Sequence, residues 1–225
     1  MNQSKTLLIA PGAGNPESPL YDEVYGLLGA LAREEGYSDV DVSIRWPGQA
    51  SFPVSRNLTV DGAASVLGRK FENLDQAGIA YDILARSFGC CVALAAVEQF
   101  QPQRLESIIL WGAAPHWKVW QLFVENLANE TQTARQKGVC IDHQLYPSSI
   151  PIEALLKRCR YPVRFAFGEK DRYTSNGFAS YLEHDVCSEN PRISFAPPVP
   201  GAPHEITQGS SPETREAYRA ALFRK

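Results

Sequence analysis

A serine, an aspartate and a histidine, Ser87, Asp171 and His204, follow one another in this chain in an order and spacing that could do nucleophilic chemistry. A serine hydroxyl attacks a carbonyl poorly near neutral pH. It needs a histidine to take its proton, and the histidine needs a carboxylate to fix its tautomer and stabilise its charged form. Around Ser87 an apolar run from Ala80 to Ala85 stops abruptly, and a helix-like run from Cys90 to Val97 follows at once. Strand, sharp turn with serine at the apex, and helix together make a nucleophile elbow. The flanking chains of such a turn nearly touch, so the positions two residues either side must be small. Ala85 and Gly89 are.

Each residue alone also has an ordinary explanation. Serine is a preferred helix N-cap, and Asp171 stands in a charged Glu169-Lys170-Asp171-Arg172 loop where aspartate suits a turn. Asp142 is a competing acid, although no clean strand precedes it. Of the other histidines, His184 lies among charged residues on an expected helix and His143 in the middle of the chain, both read as solvated. His116 follows the apolar run Ile108 to Trp111 and Gly112 to Pro115, near the mouth of a site built on strand ends. His204 has the position expected of a base.

The elements that must hold these residues alternate. Strands are expected at 5–10, 40–45, 80–85, 106–112, 162–167 and 192–196, and helices at 20–35, 59–76, 88–100, 174–184 and 212–223. Such alternation argues for an α/β fold, a mainly parallel sheet of about six strands with helices on both faces. Ser87, Asp171 and His204 each fall just after a strand, where open parallel sheets assemble their sites. The loop Gly12-Ala13-Gly14 invites a nucleotide-binding reading, but Glu17 stands where a third glycine would be needed.

These residues together resemble the α/β-hydrolase superfamily, over nearly the whole chain, with only the short motifs specific. The resemblance makes Ser87 the nucleophile, Asp171 the acid of a strand-Gly-x-x-Asp pattern and His204 the base. It makes the Pro11-Gly12-Ala13-Gly14 loop the counterpart of one that more often begins His-Gly, with the amides of Ala13 and Phe88 as oxyanion hole. It implies a single 1–225 domain that starts at the third strand of larger members, with 113–160 as a short lid region. Within that region the spacing of Trp117, Trp120 and Phe123 reads as one helix face, expected to pack on the domain core with a substrate wall as the alternative, and a second helix is expected near 150–156. His116 and Trp117 are the candidate substrate contacts. Arg86 stands where histidine is common, its side chain expected to turn away from the reacting carbonyl.

With 225 residues and 44% hydrophobic content, the chain can bury a full core. A net charge of −3 gives no electrostatic case for nucleic acid or an anionic membrane. No signal segment or membrane-spanning run is evident, and the five cysteines have no metal-ligand spacing, which points to the cytoplasm. The expected function is a serine hydrolase cleaving a carboxylic ester or thioester of a small-molecule acyl substrate, with no cofactor and no metal. Two alternatives stay open: an acyltransferase or cyclase using the same acyl-enzyme, and a non-catalytic binding protein of the same fold. The oligomeric state is left open.

Overall fold

The computed structural model describes residues 5–49, 59–113, 152–171, 174, 176–188, 190–207 and 210–224. His116, Trp117, Trp120, Phe123, Asp142 and His143 lie outside the described residues, as does the lid expected over 113–160 apart from Ala113 and the stretch from Ile152. Along the chain the elements are β1 (Thr6–Ala10), α1 (Pro19–Glu34), β2 (Asp39–Asp41), α2 (Val60–Gln76), β3 (Tyr81–Arg86), α3 (Phe88–Phe100) and β4 (Leu105–Trp111). Then come α4 (Ile152–Arg158), β5 (Val163–Ala166), α5 (Asn176–Tyr181, continuing as a π-helical turn to Val186), β6 (Ile193–Phe195) and α6 (Pro212–Phe223).

The strands lie in the order β2-β1-β3-β4-β5-β6, and every pairing is parallel. The apolar runs are buried on both faces, as a parallel sheet covered by helices requires. Leu8, Ala10, Ile83, Ala85, Ile108, Leu110 and Phe165 pack with residues of α2, α3 and α4 on one side. Leu7, Ile9, Leu84, Ile109, Trp111 and Ala166 pack with residues of α1 and α6 on the other. α3 is apolar nearly all round, with residues from Phe88 to Leu94 buried, because it is sandwiched between the sheet and neighbouring helices.

From β1 the chain crosses to β2 on one side and then returns to β3 on the other. The reversal opens a crevice beyond the C-terminal ends of β1 and β3, where ligands of open α/β sheets bind. The loop after β1 and the turn after β3 meet there.

One strand is shorter than its apolar pattern suggests. The expected 40–45 strand pairs only over Asp39–Asp41. The Asp41 carboxylate accepts hydrogen bonds from the Ser43 N–H at 2.9 Å and the Ser43 hydroxyl at 2.6 Å, an aspartate turn that ends the ladder. Arg45 then donates to the carbonyls of Val42 and Ile44, both at 2.9 Å, giving the freed backbone its partners. β2 and β6 are both edge strands of three residues, too short to offer a template for pairing with another chain.

Candidate active site

Ser87 joins β3 to α3 with φ 53° and ψ −120°, a conformation that non-glycine residues adopt at a cost of roughly 1–3 kcal/mol. The surroundings hold it there. Its N–H donates to the Trp111 carbonyl at 2.9 Å, and its carbonyl accepts from the Cys90 N–H at 3.0 Å. A side-chain carbon on Gly89 would sit 2.4 Å from the Ala10 carbonyl oxygen and 2.5 Å from that of Pro11, so only glycine fits. One on Gly12 would lie 3.3 Å from the Ser87 Cβ, which measures how closely the β1 loop crosses the elbow. Ser87 itself is partly exposed.

Asp171 and His204 arrive from the ends of β5 and β6, by two loops bonded to each other. The N–H groups of Glu169 and Lys170 donate to the carbonyls of Val199 and Ala202, each at 2.9 Å, and the Glu169 carboxylate accepts from the Gly201 N–H at 2.7 Å. The loops pass so closely that a side chain on Gly168 would meet the Ala202 carbonyl oxygen at 2.2 Å. Asp171 Oδ2 lies 2.9 Å from His204 Nδ1, and both side chains are buried, at 0% and 6% exposure. Asp171 Oδ1 accepts from the Thr174 N–H at 3.0 Å, and the Thr174 hydroxyl donates to the Ala113 carbonyl at 2.9 Å. A neutral imidazole that donates from Nδ1 to a carboxylate carries its lone pair on Nε2, the tautomer a general base needs.

Trp111 and Gly112 tie this pair to the elbow. Besides accepting from the Ser87 N–H, Trp111 donates from Nε1 to the His204 carbonyl at 2.9 Å. Gly112 has φ 58°, and a side chain there would lie 2.8 Å from both Asp171 Oδ2 and His204 Nδ1. The end of β4 is thus the shared wall of the arrangement.

No protein-family model matches the chain, and no curated protein matches it. Solved structures do. The esterase Pf2001 of Pyrococcus furiosus superposes with a TM-score of 0.69 at 13% identity, over 97% of this chain and 81% of that one. An extracellular α/β-hydrolase of a Paenibacillus species gives 0.59 at 15% identity, over 97% and 99%. The esterase RhEst1 of Rhodococcus gives 0.57 at 13% identity, over 97% and 91%. The chain has the α/β-hydrolase fold. At 13–15% identity the likeness is one of architecture.

Within this α/β-hydrolase fold, Phe88 is the first residue of α3, its ring fully buried, and Ala13 is partly buried in the loop after β1. In that loop the Gly12 N–H donates to the Tyr25 hydroxyl at 2.7 Å and is therefore engaged. Arg86 is buried, with Nη1 3.5 Å from the Tyr25 hydroxyl of α1 and Nη2 3.4 Å from Glu205 Oε1. Burial opposes its charge, but Tyr25, Glu205 and Asp171 outweigh that and raise its pKa. A cavity of about 120 Å³ lined by Gly14, Tyr21, Tyr25, Arg86 and Glu205 opens beside the loop.

Cys90, whose N–H donates to the Ser87 carbonyl, sets its thiol 3.3 and 3.5 Å from the carbonyls of Ala85 and Trp111. Burial pushes its thiol well up, and that of Cys91 up to about 12, so neither is a competing nucleophile. His184 is exposed beside Glu183, as expected of a solvated residue. Among the described residues, no cluster of histidine, cysteine, aspartate and glutamate could hold a metal ion.

Tyr25, Trp46 and Gln49 bond the loop after β1, Trp111 and Thr174 bond His204 and Asp171, and Glu205 pairs with Arg86, and no sequence pattern announced these contacts. Their roles depend on tertiary contacts between segments far apart in the chain. The one local signal was the Pro47-Gly48 turn, which sets Trp46 and Gln49 at its two ends.

Proposed function

We propose that the chain is a serine hydrolase that cleaves a carboxylic ester or thioester through an acyl-enzyme on Ser87. The observation that carries this reading is the buried 2.9 Å contact between Asp171 and His204, delivered by two strand ends to the wall of the strained Ser87 turn. A polar pair buried this well, beside a serine in so costly a conformation, is built for more than stability. That the structurally similar proteins from Pyrococcus furiosus and Rhodococcus are esterases supports hydrolase chemistry in the same fold.

In this mechanism His204 Nε2 takes the Ser87 proton as Oγ attacks the carbonyl, and Asp171 stabilises the imidazolium. The amides of Phe88 and Ala13 bind the oxyanion, a donor whose loss costs roughly 3–4 kcal/mol of barrier. Collapse of the tetrahedral intermediate breaks the bond to the leaving group, which His204 protonates. Water, deprotonated by the same nitrogen, then attacks the acyl-enzyme and frees Ser87. Carbonyl chemistry of this kind needs no metal or cofactor. The four described cysteines are free and buried, which favours a reducing compartment such as the cytoplasm.

Rapid mixing with p-nitrophenyl acetate tests the reading. A burst of p-nitrophenolate with an acetyl adduct mapped to Ser87 is expected, and both vanish in Ser87→Ala. Turnover that persists in folded Ser87→Ala would overturn it.

A further inference from the structure

Deepening that reading, on which it rests, we infer that Gln49 is a positioning residue that aims the Ala13 oxyanion donor, with Trp46 and Tyr25 completing a clamp on the β1 loop. A loop that has left its strand must find other partners for its backbone groups. Here side chains supply them one by one. Trp46 Nε1 donates to the Pro11 carbonyl at 2.9 Å, and the Tyr25 hydroxyl accepts from the Gly12 N–H at 2.7 Å. Gln49 Nε2 donates to the carbonyls of both Gly12, at 3.1 Å, and Gly14, at 2.7 Å.

One amide nitrogen therefore grips the carbonyls on either side of Ala13. In a planar trans peptide the C=O of one residue and the N–H of the next point in opposite directions. Drawing the Gly12 carbonyl toward Gln49 turns the Ala13 N–H away from it. That N–H finds no acceptor among the described residues, while its neighbour at Gly12 is consumed by Tyr25. The loop so held passes within contact of Ser87, as the 3.3 Å approach of a side chain on Gly12 to the Ser87 Cβ shows.

Gln49 is itself fixed. Its N–H donates to the Trp46 carbonyl at 3.1 Å and its Oε1 accepts from the Trp46 N–H at 3.0 Å, closing the Pro47-Gly48 turn twice. With Pro47 at the second position, Gly48 supplies the positive φ, 75°, that the third position of a type II turn requires. These neighbours leave one orientation for the amide, because Oε1 faces a donor and Nε2 faces two acceptors. An oxyanion donor lowers the barrier to the extent that it is aligned before the reaction begins. Gln49 supplies that alignment without touching substrate.

The test compares the full chain with Gln49→Ala and Gln49→Glu, measuring kcat and KM on p-nitrophenyl acetate, the rate of Ser87 labelling by a fluorophosphonate, and the thermal midpoint. Glutamate keeps the acceptor for the Trp46 N–H, and with it the turn, but sets a carboxylate oxygen against the Gly12 and Gly14 carbonyls. The expected result is kcat lowered about 10- to 100-fold in both variants, with labelling slowed in parallel, a smaller loss than deletion of an oxyanion donor produces. KM is expected to stay within about twofold, since the oxyanion forms only on the way to the transition state. Folded variants with the kcat and labelling rate of the parent would overturn the inference, as would a loss confined to KM. If Gln49→Ala fails to fold, Gln49→Glu decides; failure of both would assign Gln49 to stability alone and also overturn it. A parent protein that neither turns over the ester nor labels at Ser87 would bring down the proposed function itself, a different pattern from a parent that reacts and variants that match it.

Discussion

At the scale of single residues, glycines and a serine set the limits of this site. Ser87 keeps its positive φ because its N–H and carbonyl are both bonded and because Gly89 lets α3 start against the carbonyls of Ala10 and Pro11. Gly112 plays the matching part for the Asp171–His204 pair. In Gly112→Ala the new methyl group would fall on Asp171 Oδ2 and His204 Nδ1 at 2.8 Å, so one of the pair must move. A displacement of about 1 Å costs on the order of 100-fold in rate, and steady-state kinetics on p-nitrophenyl acetate should find a loss of that size in a variant that still folds. The buried thiols make a contrasting prediction. With Cys90 and Cys91 both pushed up by burial, iodoacetamide should leave them unmodified in the native protein and alkylate both after denaturation, as read by peptide mass mapping. Alkylation of Cys90 in the native state would mean that the floor of the elbow opens to solvent.

At the scale of elements, the strands were legible because a doubly covered sheet demands apolar runs, and the elbow because an apolar run stops at Ser87, small Ala85 and Gly89 stand two residues either side, and a helix-like run follows at once. Asp171 and His204 were legible by position after β5 and β6. The end of β2 was not, since Val42 and Ile44 continue the apolar pattern while the Asp41–Ser43 turn has already ended the pairing. Nor were Tyr25, Trp46 and Gln49, which reach the β1 loop from α1 and from the segment after β2, contacts that no local spacing encodes. β2 offers a pH test. Burial alone would raise the Asp41 carboxyl, but the hydrogen bonds from Lys70, at 2.8 Å, and Ser43 outweigh it and leave the pKa below its ordinary 3.8. The folded state then binds fewer protons than the unfolded one, so the contribution is fully present above about pH 4 and is lost as pH falls through the lowered folded value. Lys70 is 40% exposed, so solvent screens the pair. Asp41→Asn should cost less than about 1 kcal/mol at pH 7, and the difference from the parent should shrink in acid, as chemical denaturation at several pH values would measure. A difference that grew toward low pH would contradict the assignment.

At the scale of the whole molecule, the order β2-β1-β3-β4-β5-β6 gathers four loops at one end of the sheet. The β1 loop carries Ala13, the β3 turn Ser87, the β5 loop Asp171 and the β6 loop His204, with Trp111 and Gly112 at the end of β4 between them. The sheet's opposite end holds a separate buried charge, Asp82, satisfied by Lys5, Tyr37 and Ser107 at 2.6 to 2.7 Å and so fully accounted for by the fold. No helix among the described residues is long and apolar enough to cross a membrane. On the function proposed above, the gathered loops make Ser87 an activated nucleophile with His204 as its base. Fluorophosphonate labelling of the purified chain, with the modified residue mapped by mass spectrometry, tests it most directly. Modification at Ser87 in the parent protein and none in folded His204→Ala is the expected result. Absence of label on folded parent protein, or labelling of Ser87 undiminished in His204→Ala, would contradict it.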